Sequence, residues 1–405
     1  MSETTATEEA FNNLFIKACR DQQSGSLDAA VSGYMELLES FPQAPVLHYN
    51  IGLVYYEQGS FQQASDAFSR AAELNPADGD ILFNLALSLK KNGDVQGAIT
   101  SFSEVLRLDP TSIDTLYNLA GCYRETNRHQ AAVQTYLKVL SLEPEHKSAT
   151  NNLAYMYHYL GDNEKAAHYY TKVLEYNPDH HAARHMLTAL SGSGAESAPE
   201  SYIAGVFDDY STKYEQSLVT ELKYTVPEQL RSTFDTLNRG THFEHGLDLG
   251  CGTGLSGQPF ADIVGRFDGI DLSENMLRIA EEKDIYHTLH QNNLISFLST
   301  TNDIFDFYIA ADVFGYVGDL QEVFALLRER AAQNGLFCFS TEKLKGGEYT
   351  LRQTGRFAHS VEYIEHLAAA TGWVLLNRQD QPIRKERDSW IEGSLWFLST
   401  VRTPS

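Results

Sequence analysis

Five prolines, Pro42, Pro76, Pro110, Pro144 and Pro178, follow one another at intervals of 34 residues. Three further columns keep the same interval. Ala30, Ala64, Ala98, Ala132 and Ala166 stand twelve places before each proline. Tyr34, Phe68, Phe102, Tyr136 and Tyr170 stand eight before, and Gly25, Gly59, Gly93, Asn127 and Gly161 seventeen before. A strict period of this length constrains the fold more than any composition does. Each unit is one short supersecondary element that cannot bury its apolar face alone, so neighbours must stack.

The columns assign the parts of the unit. Gly or Asn ends a first helix and allows a tight turn. The alanine permits a second helix to approach closely, the aromatic packs across onto the next helix pair, and proline stops the second helix. The pattern resembles tetratricopeptide repeats. The resemblance implies an α-solenoid over residues 11–190, five repeats plus a capping helix at 181–190. The following Ser-Gly-Ser-Gly-Ala-Glu-Ser-Ala-Pro-Glu reads as a linker, 191–200. Asn50, Asn84, Asn118 and Asn152 share the sixth position of successive first helices. In this family that position faces the concave groove, so the resemblance implies contact with an extended peptide or protein. An amide both donates and accepts, which suits a peptide backbone. The plainer reading is a solvated consensus asparagine.

Composition limits the remaining choices. A chain of 405 residues calls for two or more domains. A formal charge of −23 argues against nucleic acid as partner. No apolar run reaches membrane-spanning length, and the acidic start lacks a secretion signal. The four cysteines, Cys19, Cys122, Cys251 and Cys338, are widely spaced, and no paired histidine motif lies beside an acid. Free thiols in a cytoplasmic protein without a metal site are therefore expected.

From 201 onward the rhythm alternates strand and helix, which implies a mostly parallel sheet covered on both faces. Its centre is Gly246-Leu-Asp-Leu-Gly-Cys-Gly-Thr-Gly-Leu-Ser-Gly257. Here a strand breaks into glycines that let a ligand approach the backbone, and a helix is expected over 255–264. Gly252-x-Gly254-x-x-Gly257 with Asp271 downstream also fits a dinucleotide fingerprint. The longer pattern, Asp248-x-Gly250-x-Gly252-x-Gly254 followed by Gly269-Ile-Asp271-Leu-Ser-Glu-Asn-Met276, resembles class I S-adenosylmethionine-dependent methyltransferases. The stretch 201–405 is similar to the C-terminal part of predicted methyltransferases that carry tetratricopeptide repeats. That implies a Rossmann-like seven-stranded sheet with an antiparallel last strand, and S-adenosyl-L-methionine as cofactor.

In open α/β sheets ligands sit beyond the carboxyl ends of the strands. The rule and the resemblance together choose the candidates. Gly250, Gly252 and Gly254 would admit the cofactor. Asp248 would hold its ammonium or fix the loop, Asp271 would take its ribose hydroxyls, Met276 would pack beneath adenine and Asn293 would accept from the adenine amino group. Tyr210 and Tyr214 share a helix face with Phe207 and resemble a lid over the cofactor, Phe207 itself reading as packing. Asp312, Tyr316 and His359 are candidates to meet or deprotonate the acceptor. Glu342, Arg356 and Arg384 are candidates to bind it, the arginines as a clamp for carboxylate or phosphate. A structural hydrogen bond is the competing role for His359.

The resulting expectation is a methyltransferase whose repeats recruit a protein or peptide partner or substrate, the acceptor being that protein or a small molecule. The rival is a repeat adaptor with a retired enzyme domain. A nicotinamide enzyme is a third reading.

Overall fold

The computed structural model describes residues 3–192, 194–211, 214–237, 241–386 and 389–401. The chain divides into two compact units, Met1–Tyr176 and Asn177–Ser405.

The first unit is a run of paired helices: α1 (Glu3–Gln23) with α2 (Leu27–Ser40), α3 (Pro45–Glu57) with α4 (Phe61–Leu74), α5 (Gly79–Lys91) with α6 (Val95–Leu108), α7 (Ile113–Glu125) with α8 (His129–Leu142), and α9 (Lys147–Tyr159) with α10 (Asn163–Tyr176). Each repeat column has its physical counterpart. Gly25, Gly59, Gly93, Asn127 and Gly161 all take positive φ, between 58° and 90°, where the first helix of a pair ends. All five column alanines are fully buried, and the aromatics are at most 4% exposed. The rings also meet the first helix of their own pair: Tyr49 stands 5.6 Å from Phe68, Phe83 5.6 Å from Phe102 and Tyr117 5.8 Å from Tyr136, centroid to centroid. Phe68 is further clustered with Leu85 of the next pair, and Phe102 with Leu119.

The second unit begins with α11 (His181–Ser191), α12 (Glu200–Tyr210) and the short α13 (Tyr214–Gln216), which runs into a wide π turn, Ser217–Glu221. Then come α14 (Val226–Leu237), β1 (Phe243–Leu249), β2 (Val264–Asp271), α15 (Glu274–Glu281), β3 (Thr288–Gln291), α16 (Leu294–Thr300), β4 (Phe305–Ala310), α17 (Gln321–Glu329) and β5 (Ala331–Leu344). The chain closes with β6 (Tyr349–Leu351), β7 (Phe357–Ser360), α18 (Val361–Thr371), β8 (Val374–Glu386) and β9 (Ser389–Ser399).

Seven of these strands pair in the order β3-β2-β1-β4-β5-β9-β8. The first five are parallel, and β9 runs antiparallel between β5 and β8. β7 and β6 branch from the end of β5, a feature the sequence reading did not contain. The strands alternate between two cores. Phe305, Tyr308, Phe337, Phe339, Trp396 and Leu398 face the core of α16, α17 and α18. Phe307, Ile309, Cys338, Leu395 and Phe397 face the core of α14. Each buried aromatic contributes roughly 1.5–3 kcal/mol of transfer free energy, so this alternation fixes the register.

Two expectations differ from what the structure holds. The segment 255–264 forms turns and a 3-10 turn at Gln258–Phe260, and β2 starts at Val264. Gly254, Gly257 and Pro259 disfavour helix there, and Tyr286 crowds Gly257. The presumed repeat cap, α11, lies in the second unit, where His185 Nε2 is 2.8 Å from the carbonyl of Gly355. The presumed linker is pinned as well: Ser197 bridges Val317, and the Ala198 amide donates to the carbonyl of Tyr316 at 2.9 Å.

Gly93→Ala should destabilise the first unit by about 1–2 kcal/mol through its left-handed backbone alone, because an added Cβ there would meet no atom within 4 Å. Phe102→Ala should cost about 3–5 kcal/mol. Denaturant unfolding of the full chain by circular dichroism measures both. A neutral Gly93→Ala would mean that the turn conformation is not what the column preserves.

Candidate functional site

Strand order reverses beside β1, which has β2 on one side and β4 on the other. Parallel crossovers on opposite sides leave a crevice at such a point. A cavity of about 550 Å³ lies there, lined by the residues that follow the strands: Gly250 and Gly252 after β1, Asp271 and Leu272 at β2, Asn292 and Asn293 after β3, and Ala311, Asp312 and Val313 after β4. Its outer wall is the stretch read as linker and lid, including Ser197, Pro199, Ile203, Phe207 and Tyr214.

The glycine turn is held by two acids. Gly250 and Gly252 have φ of 63° and 54°, which disfavour any side chain. A Cβ on Gly250 would come within 2.8 Å of Val313, whereas one on Gly252 would meet nothing within 4 Å. Asp271 accepts from the Gly252 amide at Oδ2 and from the Ser273 amide at Oδ1, each at 2.9 Å. Burial pushes its carboxyl up, and these backbone amides work against that shift. Each oxygen retains a lone pair for a ligand hydroxyl. Asp248 is fully buried and lies off the cavity wall. Its Oδ2 accepts from Ser256 at 2.7 Å and from Tyr286 at 2.6 Å, while Oδ1 has no hydrogen-bond partner among the described residues. It therefore fixes the loop rather than reaching the crevice.

Opposite the glycines lies a cluster of acids and guanidiniums. Arg356 donates to Asp312 and, from Nε, to Glu342 at 2.7 Å. Arg384 donates to the same Glu342 oxygen at 2.6 Å, and Arg352 to the other at 3.1 Å. Burial opposes the charge on Glu342, but Arg356 and Arg384 outweigh it and hold the carboxyl below its usual range. The Arg356 guanidinium lies 4.6 Å over the Tyr316 ring, a cation–π contact. Phe207 touches both Tyr214 and Tyr316 edge to face, at 5.7 and 5.5 Å. Asp312 takes φ 65°, an uncommon conformation for a non-glycine residue, with its amide donating to Ser340 Oγ. Burial raises the Tyr214 and Tyr316 phenols, so both stay protonated near neutral pH.

Asp312, Tyr316, Arg356 and Arg384 thus share one wall with Tyr214. Glu342 stands behind that wall, 2% exposed, as the anchor of the guanidiniums rather than a ligand group. Other candidates are placed elsewhere. His359 is 2% exposed, and its Nε2 hydrogen-bonds the carbonyl of Gly318 at 2.9 Å. Burial lowers its pKa to about 4, so it is neutral, structural and outside the cavity. Met276 is fully buried in the third position of α15, whose start Ser273 caps, while Leu272 and Ile295 are apolar residues that line the cavity. Gly254 faces Tyr286 and Lys283. Asn293 lines the cavity, but its Oδ1 caps α16 through the amides of Ile295 and Ser296 and its Nδ2 donates to Glu200 at 2.9 Å. The carbonyl assigned to adenine is thus already engaged. The Tyr210 side chain lies outside the described residues. Phe207, read as packing, is on the wall; its i, i+7 spacing with Tyr214 was the available signal. Nothing in the sequence pointed to Tyr286 or to Ser197–Glu200.

In the first unit, Asn50, Asn84 and Asn118 each donate Nδ2 to the carbonyl four residues earlier at 2.9 Å. Asn152 donates to the Tyr117 and Tyr136 hydroxyls. Among the described residues, the group with metal-ligand spacing is His245, Asp268 and Asp303. Arg266 already pairs with both acids there, at 3.0 and 3.7 Å.

Sequence comparison agrees with this architecture. Tetratricopeptide-repeat models match residues 17–79, 49–113, 89–155 and 148–180, and a methyltransferase-domain model matches 247–337. The chain is therefore a tetratricopeptide-repeat protein with a methyltransferase domain of class I fold. Solved structures that resemble parts of it include MamA 41-end from Desulfovibrio magneticus RS-1, at 21% identity over 42% of this chain and 96% of that one, TM-score 0.40. YrrB, a TPR protein with an unusual peptide-binding site, is 24% identical over 46% of this chain and 97% of its own, TM-score 0.41. The N-methyltransferase NodS from Bradyrhizobium japonicum WM9, in complex with S-adenosyl-L-homocysteine, is 18% identical over 42% and 85%, TM-score 0.36. No curated protein matches the chain. No helix among the described residues is long and apolar enough to cross a membrane.

The Asp248 carboxyl, raised to about 7 by burial, carries a stability signature. A folded-state pKa above the unfolded value makes stability fullest below about pH 4, and it is lost as pH rises toward 7. The loss should reach at most about 4 kcal/mol. Urea unfolding from pH 4 to 8 should show that slope, and Asp248→Asn should flatten it. An equal slope in the variant would remove Asp248 as its source.

Proposed function

We propose that the second unit transfers a methyl group from S-adenosyl-L-methionine to an acceptor bound against Asp312, Tyr316, Arg356 and Arg384. The cofactor supplies a methyl group already activated by its sulfonium. The observation that carries the reading is the crevice lined by Gly252 and Asp271 together: a backbone kept bare of side chains beside a carboxylate that keeps acceptor capacity for two ribose hydroxyls. Leu272 and Ile295 offer apolar surface for a base. Gly250 brings the main chain close to the remainder of the cofactor.

The remaining work is alignment and exclusion of water. Holding nucleophile, methyl carbon and sulfur in line can supply roughly 7–11 kcal/mol in favourable systems. Phe207 and Tyr214 close the crevice over the reacting groups. Tyr316 and Asp312 orient the acceptor, the phenol as a donor and the carboxylate as an acceptor of hydrogen bonds. We assign the domain to Asn177–Ser405 rather than to 201 onward, because α11 packs through Ala189 against Ala198, Leu351 and Phe357, and Ser197–Glu200 line the cavity.

The repeats are assigned to recruiting a protein or peptide in the cytoplasm. Asn50 and Asn118 would meet such a ligand with their second amide N–H and their carbonyl, whereas the Asn152 carbonyl already accepts from Arg124. The strong net negative charge favours a basic partner segment over nucleic acid.

Heat unfolding with S-adenosyl-L-homocysteine tests the reading. Wild type should be stabilised, as any ligand that binds only the folded state requires. Asp271→Ala should weaken binding about tenfold or more, equivalent to about 1.4 kcal/mol. No shift in wild type, or stabilisation by a nicotinamide nucleotide instead, would end the assignment.

A further inference from the structure

Arg384 is 5% exposed and lines the cavity, yet among the described residues it makes a single hydrogen bond, from Nη2 to Glu342. Its Nε stands 3.9 Å from Asp312 Oδ2 and its Nη1 3.9 Å from Glu386 Oε2. Both distances allow ion pairing but lie beyond hydrogen-bond reach. Neither nitrogen is among the side-chain atoms sealed in protein without a partner, so both stay open to a molecule in the cavity that Arg384 lines. Arg356 differs: Asp312 and Glu342 take its Nη2 and Nε donors. Of its five N–H donors Arg356 thus places two on acids and Arg384 one, which leaves Arg384 the more donors to offer a ligand. Glu342 behind them balances charge without closing the front.

We propose, building on the methyltransferase reading, that the acceptor is a small organic acid whose carboxylate is bound by the unused donors of Arg384. Three features of the same wall define the class. A carboxylate matches a guanidinium with two parallel hydrogen bonds. Asp312, beside Arg384, repels a second negative charge, and Glu386 does so from the solvent side, so a monoanion fits better than a phosphate dianion. Phe207, Tyr214 and Tyr316 line the approach with ring faces and edges, which suit an apolar or aromatic body. An acceptor amine held as a cation has Asp312 as its counter-ion, but must lie beside two guanidiniums.

The test is calorimetric binding to the full chain saturated with S-adenosyl-L-homocysteine. The probes are acetate, benzoate, phenylacetate and 3-phenylpropanoate, their uncharged amides, benzylamine and inorganic phosphate. At least one acid should bind about tenfold or more tightly than its amide, the scale of a charge-assisted pair of hydrogen bonds. Arg384→Gln should reduce that preference to about threefold or less, and Arg384→Lys, which keeps the charge but not the fork, should restore it only in part. Homocysteine-product binding should stay within about twofold in both variants, which reports that they are folded and that the cofactor reading stands. Binding by none of the acids, equal binding of acids and amides, preference for benzylamine or phosphate, or an unchanged preference in Arg384→Gln would each overturn the proposal. Loss of product binding in wild type would instead sink the methyltransferase reading.

Discussion

Strand β1 decides the arrangement of the second unit. It is buried on both faces and hydrogen-bonded on both edges, to β2 and to β4, so its carboxyl end has nowhere to continue except out of the sheet. The chain must turn there without bulk, and Gly250 and Gly252 make that turn with left-handed backbone. The residues after β2 and β4 then face each other across the opening that the turn leaves. Asp271 and Asp312 come to the same cavity although they are far apart in the chain, because parallel strands of similar length end at one level.

The two acids of the glycine turn divide the labour by depth. Asp248 is shielded from solvent and bonded to Ser256 and Tyr286, so its charge is costly and its geometry rigid. Asp271 is held by backbone amides at the edge of the crevice, so it is oriented and still accessible. The two acids of the motif thus end in different places, Asp248 sealed beneath the turn and Asp271 on the cavity wall. The same contrast separates Glu342 from Asp312: one collects three arginines behind the wall, the other stands in it.

Much of the architecture was legible because periodicity reports burial. The three columns that keep the proline spacing correspond to buried alanines, buried rings and positive-φ turns, since each column marks a position where only one kind of side chain is compatible with stacking. The alternating apolar letters of β4, β5 and β9 likewise map onto two cores. Local patterns failed where a tertiary partner overrode them. Met276 and His359 carry side chains suited to a cofactor or a proton, but neighbouring elements bury them, and no spacing reveals that. The spacing that points Asn293 toward adenine also sets it at the start of α16, where its Oδ1 caps the helix. Residues 255–264 look apolar enough for a helix, yet Gly254, Gly257 and Pro259 leave only a 3-10 turn.

The Ser-Gly-rich stretch after α11 teaches a related point. Small and polar residues mark flexibility when nothing else competes for their backbone. Here the carbonyls and amides of Glu196, Ser197 and Ala198 find partners in the loop that follows β4, as Gly318 and Asp319 donate to Glu196 and Ala198 donates to Tyr316. Those bonds place Pro199 and Glu200 at the start of α12 and set Phe207 against Tyr316. The same loop carries Asp312 and accepts His359 at Gly318. One irregular segment therefore fixes the outer wall, the acceptor side and the buried histidine together. Its glycines explain how: a Cβ on Gly315 would collide with Arg356 and one on Gly318 with Phe357. The close approach of the arginine to this loop thus depends on a residue with no side chain, and the shape of the acceptor wall follows from that absence.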